Sequence, residues 1–316
     1  MRRGTRALPA LCLCAVTACA ALPARCAPNI SPPPAATEGL RLLYSGDTDA
    51  ATERFRQLQA QEPSEPLGYL LEAEARWWRI YCESLEFKWG LTDAWHRDKQ
   101  AGDEAYLALA DKAIELARAR LGQADSAEMH LYAGLGYALE ARLYSLRDSK
   151  RAEARSGVRA REQFLRALEM DPSLADADTG LGLYNYYVDT LSGLTKVLRF
   201  FMGIPGGNRK EGMRQLEHAA REAPITSVEA RFYLAKNLRN LDRQYEQALG
   251  VMQPLAEEYP SNPIFQLFLG DLTAKLGHGD KAEEHYRKAT ALPAGDAACR
   301  GRIEKAAAAG LASLKK

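Results

Sequence analysis

An internal repeat constrains this chain more than any other feature. A small residue is followed four positions later by a large apolar one, three later by a small or apolar one, and then by proline. Ala51, Phe55, Leu58 and Pro63 fit this pattern, as do Ala160, Phe164, Ala167 and Pro172. Gly212, Leu216, Ala219 and Pro224 repeat it, and so do Ala248, Met252, Leu255 and Pro260. Ala282, Tyr286 and Ala289 keep the spacing with Pro293 one place early, and Ala110, Ile114 and Ala117 end at Gly122 instead of proline. Steps of four and three place these side chains on one helix face, where small residues let a neighbouring helix approach. Proline then ends the helical region, because the residue before it avoids the α conformation. Such a unit buries its apolar face only by stacking on the next one.

A second half of the signature lies upstream. Leu269-Gly270 precedes Ala282, with Gly277 and Asp280 supplying the turn, and Gly39 precedes Ala51 by the same twelve residues. Leu181-Gly182 and Leu135-Gly136 head two further first helices. In these residues the chain resembles the tetratricopeptide repeat family, helix-turn-helix units of about 34 residues with an L-G…Y…A…F…P pattern. The resemblance covers residues 35–295 and implies an all-α solenoid of five or six helical hairpins. The last stretch, Asp296 to Leu314, with Ala306 to Ala309 and a Lys315-Lys316 end, suits a capping helix within 296–316. Alanine, leucine, glutamate and arginine dominate the composition, and long Val/Ile/Thr runs are missing, as an all-α chain requires.

Two insertions, both expected to be helical, break the period. The first, about 77–102, holds all four tryptophans (Trp77, Trp78, Trp89 and Trp95) with Tyr81 and Phe87. Aromatics of this kind either fill an irregular helix junction or form binding hot spots. The second, about 188–207, carries Leu191, Leu194, Val197, Leu198 and Phe201 at helical spacing, bordered by Lys196 and Arg199 and closed by Gly203-Ile204-Pro205-Gly206-Gly207. This region is similar to the midsection of eukaryotic tetratricopeptide proteins linked to inclusion-body clearance and of bacterial relatives. The shared features are a G-x-G-x-[FY]-N opening from Gly180, a short hydrophobic helix and an R-x-x-G-x-x-x-L run at Arg209, Gly212 and Leu216. That stretch either lies over the solenoid or meets a partner or bilayer.

The N-terminus reads as an export signal over 1–18: basic residues up to Arg6, then an apolar run from Ala7 to Ala18 too short to span a bilayer. Val16-Thr17-Ala18-Cys19 resembles a bacterial lipobox, which would make Cys19 the acylated N-terminus and a membrane tether. Ordinary cleavage near Ala18-Cys19-Ala20 is the alternative. A Pro-rich tether over 19–34 follows. Three of the 42 basic residues lie in the leader, leaving 39 against 41 acidic ones, so no basic excess points to nucleic acid. Cys26, Cys82 and Cys299 are widely spaced and read as bystanders, neither a disulfide framework nor a metal set.

No catalytic pattern stands out. The five histidines (His96, His130, His218, His278 and His285) make no HExxH or close metal pair, and the Gly-rich turn lacks the GxxxxGK[ST] spacing of a phosphate loop. No GxSxG is present, so no enzyme, metal or cofactor is expected. In the repeat family the first helix of each unit lines the concave groove. Carried onto this chain, that makes Tyr186, Tyr187, Phe232, Lys236, Arg239, Asn240, Asp271 and Lys275 the groove candidates. Two aromatics beside a short basic run suit an extended acidic peptide. The expected function is a protein-binding scaffold or adaptor in the periplasm or outer membrane of a bacterium. The alternative is a small-ligand or lipid carrier with a pocket under the insertions.

Overall fold

The computed structural model describes Met1 and residues 30–191 and 204–315. Cys19 and the stripe residues Leu194, Val197, Leu198 and Phe201 lie outside the described residues. Among those described, thirteen helices form six hairpins and a cap. The units are α1 (Pro34–Tyr44) with α2 (Thr48–Gln61), α3 (Pro66–Glu83) with α4 (Gly102–Leu121), and α5 (Ala127–Leu146) with α6 (Lys150–Met170). They continue with α7 (Asp176–Thr190) and α8 (Arg209–Glu222), α9 (Ser227–Asn240) and α10 (Tyr245–Glu258), and α11 (Pro263–Lys275) and α12 (Gly279–Ala291). The last helix is α13 (Ala297–Ser313).

Local chemistry sets these boundaries. Pro34, Pro66 and Pro263 sit in first turns, where a missing N–H costs nothing. The side chains of Asp47, Asn208, Asn262 and Asp296 accept hydrogen bonds from first-turn amides of α2, α8, α11 and α13.

In all six copies the three helix-face positions are buried, including Ala110, Ile114 and Ala117, while the residue that ends each copy is exposed or half-buried. The glycines of the signature serve close approach. A Cβ on Gly39 would lie 2.3 Å from the Phe55 ring, and one on Gly270 would lie 2.6 Å from the Tyr286 ring. In both units the glycine of the first helix makes room for the large apolar residue of the second.

The first insertion departs from the helical expectation. Trp77 and Trp78 belong to α3, which runs on to Glu83, and the added chain forms an antiparallel hairpin, β1 (Leu85–Lys88) and β2 (Leu91–Ala94). Its register pairs Leu85 with Ala94 and Lys88 with Leu91. The two-residue turn has Trp89 at φ 55° and Gly90 at φ 77°, the mirror-image geometry that suits the twist of paired strands. In hindsight L-E-F-K-W-G-L-T-D-A carries a strand signal, since L-E-F-K alternates at period two before the turn.

The solenoid closes on itself. Asn262 donates to the Tyr44 carbonyl at 2.9 Å, and the Ser261 hydroxyl donates to the Ser45 carbonyl at 2.6 Å, joining the end of α1 to the start of α11. Arg79 of α3 pairs with Asp296 at the head of the cap. Cys82 and Cys299 form a disulfide with Cα atoms 5.2 Å apart, which corrects the expectation that they are bystanders. The signal was absent because 217 residues separate the two thiols, and only ring closure brings α3 and α13 together.

Candidate functional site

Closure turns the concave face inward and fills it. Trp78 packs its ring against Tyr44, Phe232 and Phe265 at centroid distances of 5.8, 4.9 and 5.8 Å, and its indole N–H donates to Glu74. Phe232 lies a further 4.9 Å from Phe268. The packing reading therefore holds for Trp77 and Trp78, both nearly fully buried. These rings fill the space on the inner face beside Trp78. A surface pocket of 230 Å³ lies between α2 and α3, but charged residues such as Asp49, Arg56, Arg76 and Arg79 line it.

Beside the aromatic cluster, the groove holds a segment of its own chain. Strand β2 enters between α3, α9 and α11, and Thr92 and Asp93 are fully buried there. The Thr92 amide and hydroxyl donate to the Asp271 carboxylate at 2.5 and 3.2 Å. The Thr92 carbonyl accepts from Arg239 Nη2 at 2.7 Å. Asp93 accepts from the Tyr81 hydroxyl at 2.5 Å, pairs with Lys236 Nζ at 2.9 Å, and accepts from Asn240 Nδ2. Arg239 completes the set, 3.1 Å from Asp271 and with its guanidinium 3.5 Å above the Phe268 ring.

Two fully buried aspartates thus face the fully buried Arg239 and the half-buried Lys236, and such pairing is the condition under which charges can be buried. Burial pushes the Asp271 carboxyl up to about 6 even though Arg239 opposes it. Asp93 is also penalised by burial, yet Lys236, Arg239 and the Tyr81 hydrogen bond hold it below the usual carboxylate range.

The groove candidates divide accordingly. Phe232, Arg239 and Asp271 do line the inner face, but they are fully buried and engaged internally, which corrects their reading as free contact positions. Lys236 and Asn240 meet the hairpin. Lys275 is exposed, and its Nζ donates to the Trp89 carbonyl at the hairpin tip at 2.8 Å. Tyr186 is buried, with its hydroxyl 2.6 Å from Asp242. Tyr187 keeps 37% of its surface exposed while its hydroxyl donates to Asn237. Both hydroxyls therefore bond to the end of α9 and the turn after it rather than to Asp93.

Thr92 and Asp93 were not legible as site residues, since their partners Arg239 and Asn240 on α9 each lie 147 residues along the chain. A second buried network was equally hidden: Arg142 of α5 bridges Glu74 of α3 and Glu229 of α9 while lying 4.6 Å above the Trp77 ring. Burial, reinforced by Glu74 and only partly offset by Arg142, raises Glu229 to about 7.

No three His, Cys, Asp or Glu side chains among the described residues could together hold an ion. No helix among them is long and apolar enough to cross a membrane.

The chain is similar to solved helical-repeat structures. One is the human IFIT1 dimer with PPP-AAAA, at 14% identity and TM-score 0.42, with 85% of this chain and 61% of that chain covered. Another is yeast Tom70, at 13% identity and TM-score 0.30, with 86% of this chain and 60% of that one covered. The chain spans about three fifths of the length of these structures. No curated protein matches the chain significantly. A family model described as Regulator of microtubule dynamics protein 1-3 matches residues 51–263, about two thirds of the chain and both halves of the ring. The chain belongs to this family.

Proposed function

We propose that the protein is a non-catalytic binding scaffold that works outside the cytoplasm, in the bacterial cell envelope, and takes up an extended acidic segment of a protein partner through its concave groove. One observation carries this reading: the groove side chains already grip an extended acidic segment by its backbone amide, its backbone carbonyl and a carboxylate. That is the chemistry of peptide recognition in a groove, where main-chain hydrogen bonds supply affinity and a side-chain anchor supplies selectivity. Export is supported by the leader pattern and by the Cys82–Cys299 disulfide, a bond that persists in oxidising compartments. Acylation at Cys19 would add a membrane tether.

Photo-crosslinking in the native envelope tests the reading. A photoreactive residue at Lys275 or Tyr187, on the rim of the inner face, should capture a common protein. The same residue at Glu115 or Glu169, exposed on the outer second helices, should not. Equal capture at all four positions, or none at the rim, would remove the groove as the binding surface.

A further inference from the structure

We infer that the β1–β2 hairpin is a built-in occupant of the groove, standing in for an external ligand, and that the ligand that replaces it is an extended peptide presenting an aspartate where Asp93 now sits. The inference rests on the groove being the binding surface, and it adds the identity of the anchor and the mechanism of access.

Three observations carry it. The first is topological. In four of the other five units the two helices are joined by short turns, such as Ser45 to Asp47 between α1 and α2 and Leu276 to His278 between α11 and α12, the exception being the second insertion between α7 and α8. The path of the solenoid does not need residues 85–94, which leave the ring between α3 and α4 and fold back into its centre. The second is chemical. A segment retained only to fill a core would do so with apolar side chains, because burying ions gains little over well-packed hydrophobic residues. Strand β2 buries Thr92 and Asp93 beside Leu91, and its outer edge bonds to side chains of α9 and α11 rather than to another strand. The strand is bound as a docked peptide is bound.

The third concerns the tip. Trp89 occupies the left-handed region, where a bulky side chain is a genuine outlier, and leaves 78% of its surface in water. Its ring meets Trp95 edge-on at 5.4 Å, and Lys275 pins its carbonyl. The hairpin is thus buried at its strand and exposed at its tip, so release would proceed from the tip inward. Because the occupant is tethered at both ends, its effective concentration is high and an external peptide competes poorly until the hairpin is lifted.

The experiment uses a fluorescent peptide with the sequence of residues 85–94 as the probe. In one variant residues 85–94 are replaced by a short Gly/Ser linker. Fluorescence anisotropy should show this variant binding the peptide at least ten-fold more tightly than wild type does. The same peptide carrying Asp→Asn at the position of Asp93 should lose most of that gain. A shortened variant that melts cooperatively and ignores the peptide would overturn the inference.

Should that variant fail to fold, hydrogen exchange on the intact chain decides. Excess peptide should speed exchange at Thr92 and Asp93 in a Trp89→Gly, Lys275→Ala variant. Exchange there as slow as in α11 and indifferent to peptide would overturn the inference. Peptide exchange without any rim crosslink in the envelope would leave the built-in occupant standing and remove only the scaffold reading.

Discussion

Arg239 Nη2 donates to the carbonyl of Thr92 at 2.7 Å across 147 residues of sequence, and this bond ties the fifth repeat to the hairpin inserted in the second. The guanidinium is fully buried and its partners are internal: Thr92, Asp271, Asn240 and, at 3.8 Å, Asp93. Arg239→Ala leaves Asp271 and Asp93 short of a cation in the core and should cost roughly 3–5 kcal/mol. Lys275→Ala, at an exposed position, should stay within about 0.5 kcal/mol of wild type. Urea denaturation of the two variants compares them, and similar midpoints would mean that the hairpin does not depend on Arg239.

Glycine substitutions test the packing of the repeat. Gly270→Ala places a methyl 2.6 Å from the Tyr286 ring and should destabilise by about 1–3 kcal/mol through overpacking. Gly250, inside α10, has nothing within 4 Å of its would-be Cβ. Gly250→Ala should therefore stabilise by up to about 1 kcal/mol through helix propensity. Thermal melts with the same sign for both would contradict the assigned packing.

The disulfide closes a loop of 217 residues between the second unit and the cap. Cys82→Ser with Cys299→Ser should lower stability by roughly 2–5 kcal/mol. In protein taken directly from the envelope, Cys82 and Cys299 should react with a thiol reagent only after reduction. Full reactivity without reductant would place the native protein in a reducing compartment.

Glu229 gives the pH dependence its sign. Its folded pKa, about 7, lies above the ordinary glutamate value, so its favourable contribution is complete below about 4.5 and is lost as pH rises through 7. Asp271, raised to about 6, acts in the same direction over a lower window, and His285, lowered by burial, acts in the opposite direction. The window from 6 to 8 therefore isolates Glu229 best. Across it wild type should lose stability relative to Glu229→Gln, by on the order of 1–3 kcal/mol. Parallel melting curves from pH 5 to 8 would mean that Arg142 neutralises Glu229 throughout.

The tether is tested by metabolic labelling with a fatty-acid analogue. Label on wild type that disappears in Cys19→Ala is the expected result. Unlabelled wild type would leave ordinary cleavage as the reading of the leader.

The repeat was legible because its information is local. Steps of four and three fix a helix face, and a glycine twelve residues upstream supplies the opposing surface, so Gly39 with Phe55 and Gly270 with Tyr286 pair across one short turn. The capping helix was legible for the same reason, from Asp296 and the alanine run after it. The groove side was legible in part: Arg239, Lys236 and Asn240 were placed on the inner face, with a partner's acidic peptide as the expected occupant. That the occupant is residues 91–94 was not legible, because nothing near Asp93 in the sequence names Lys236 or Arg239 as its partners.

By itself, then, the sequence determined the helices, their pairing and which face of each turns inward, since these depend on side chains within one or two turns of each other. Only the tertiary structure decided that the ring closes, that Cys82 meets Cys299, and that a hairpin read as helix fills the groove. Those outcomes depend on the small rotation between successive units, summed over six of them. A sum of that kind has no signature at any single residue.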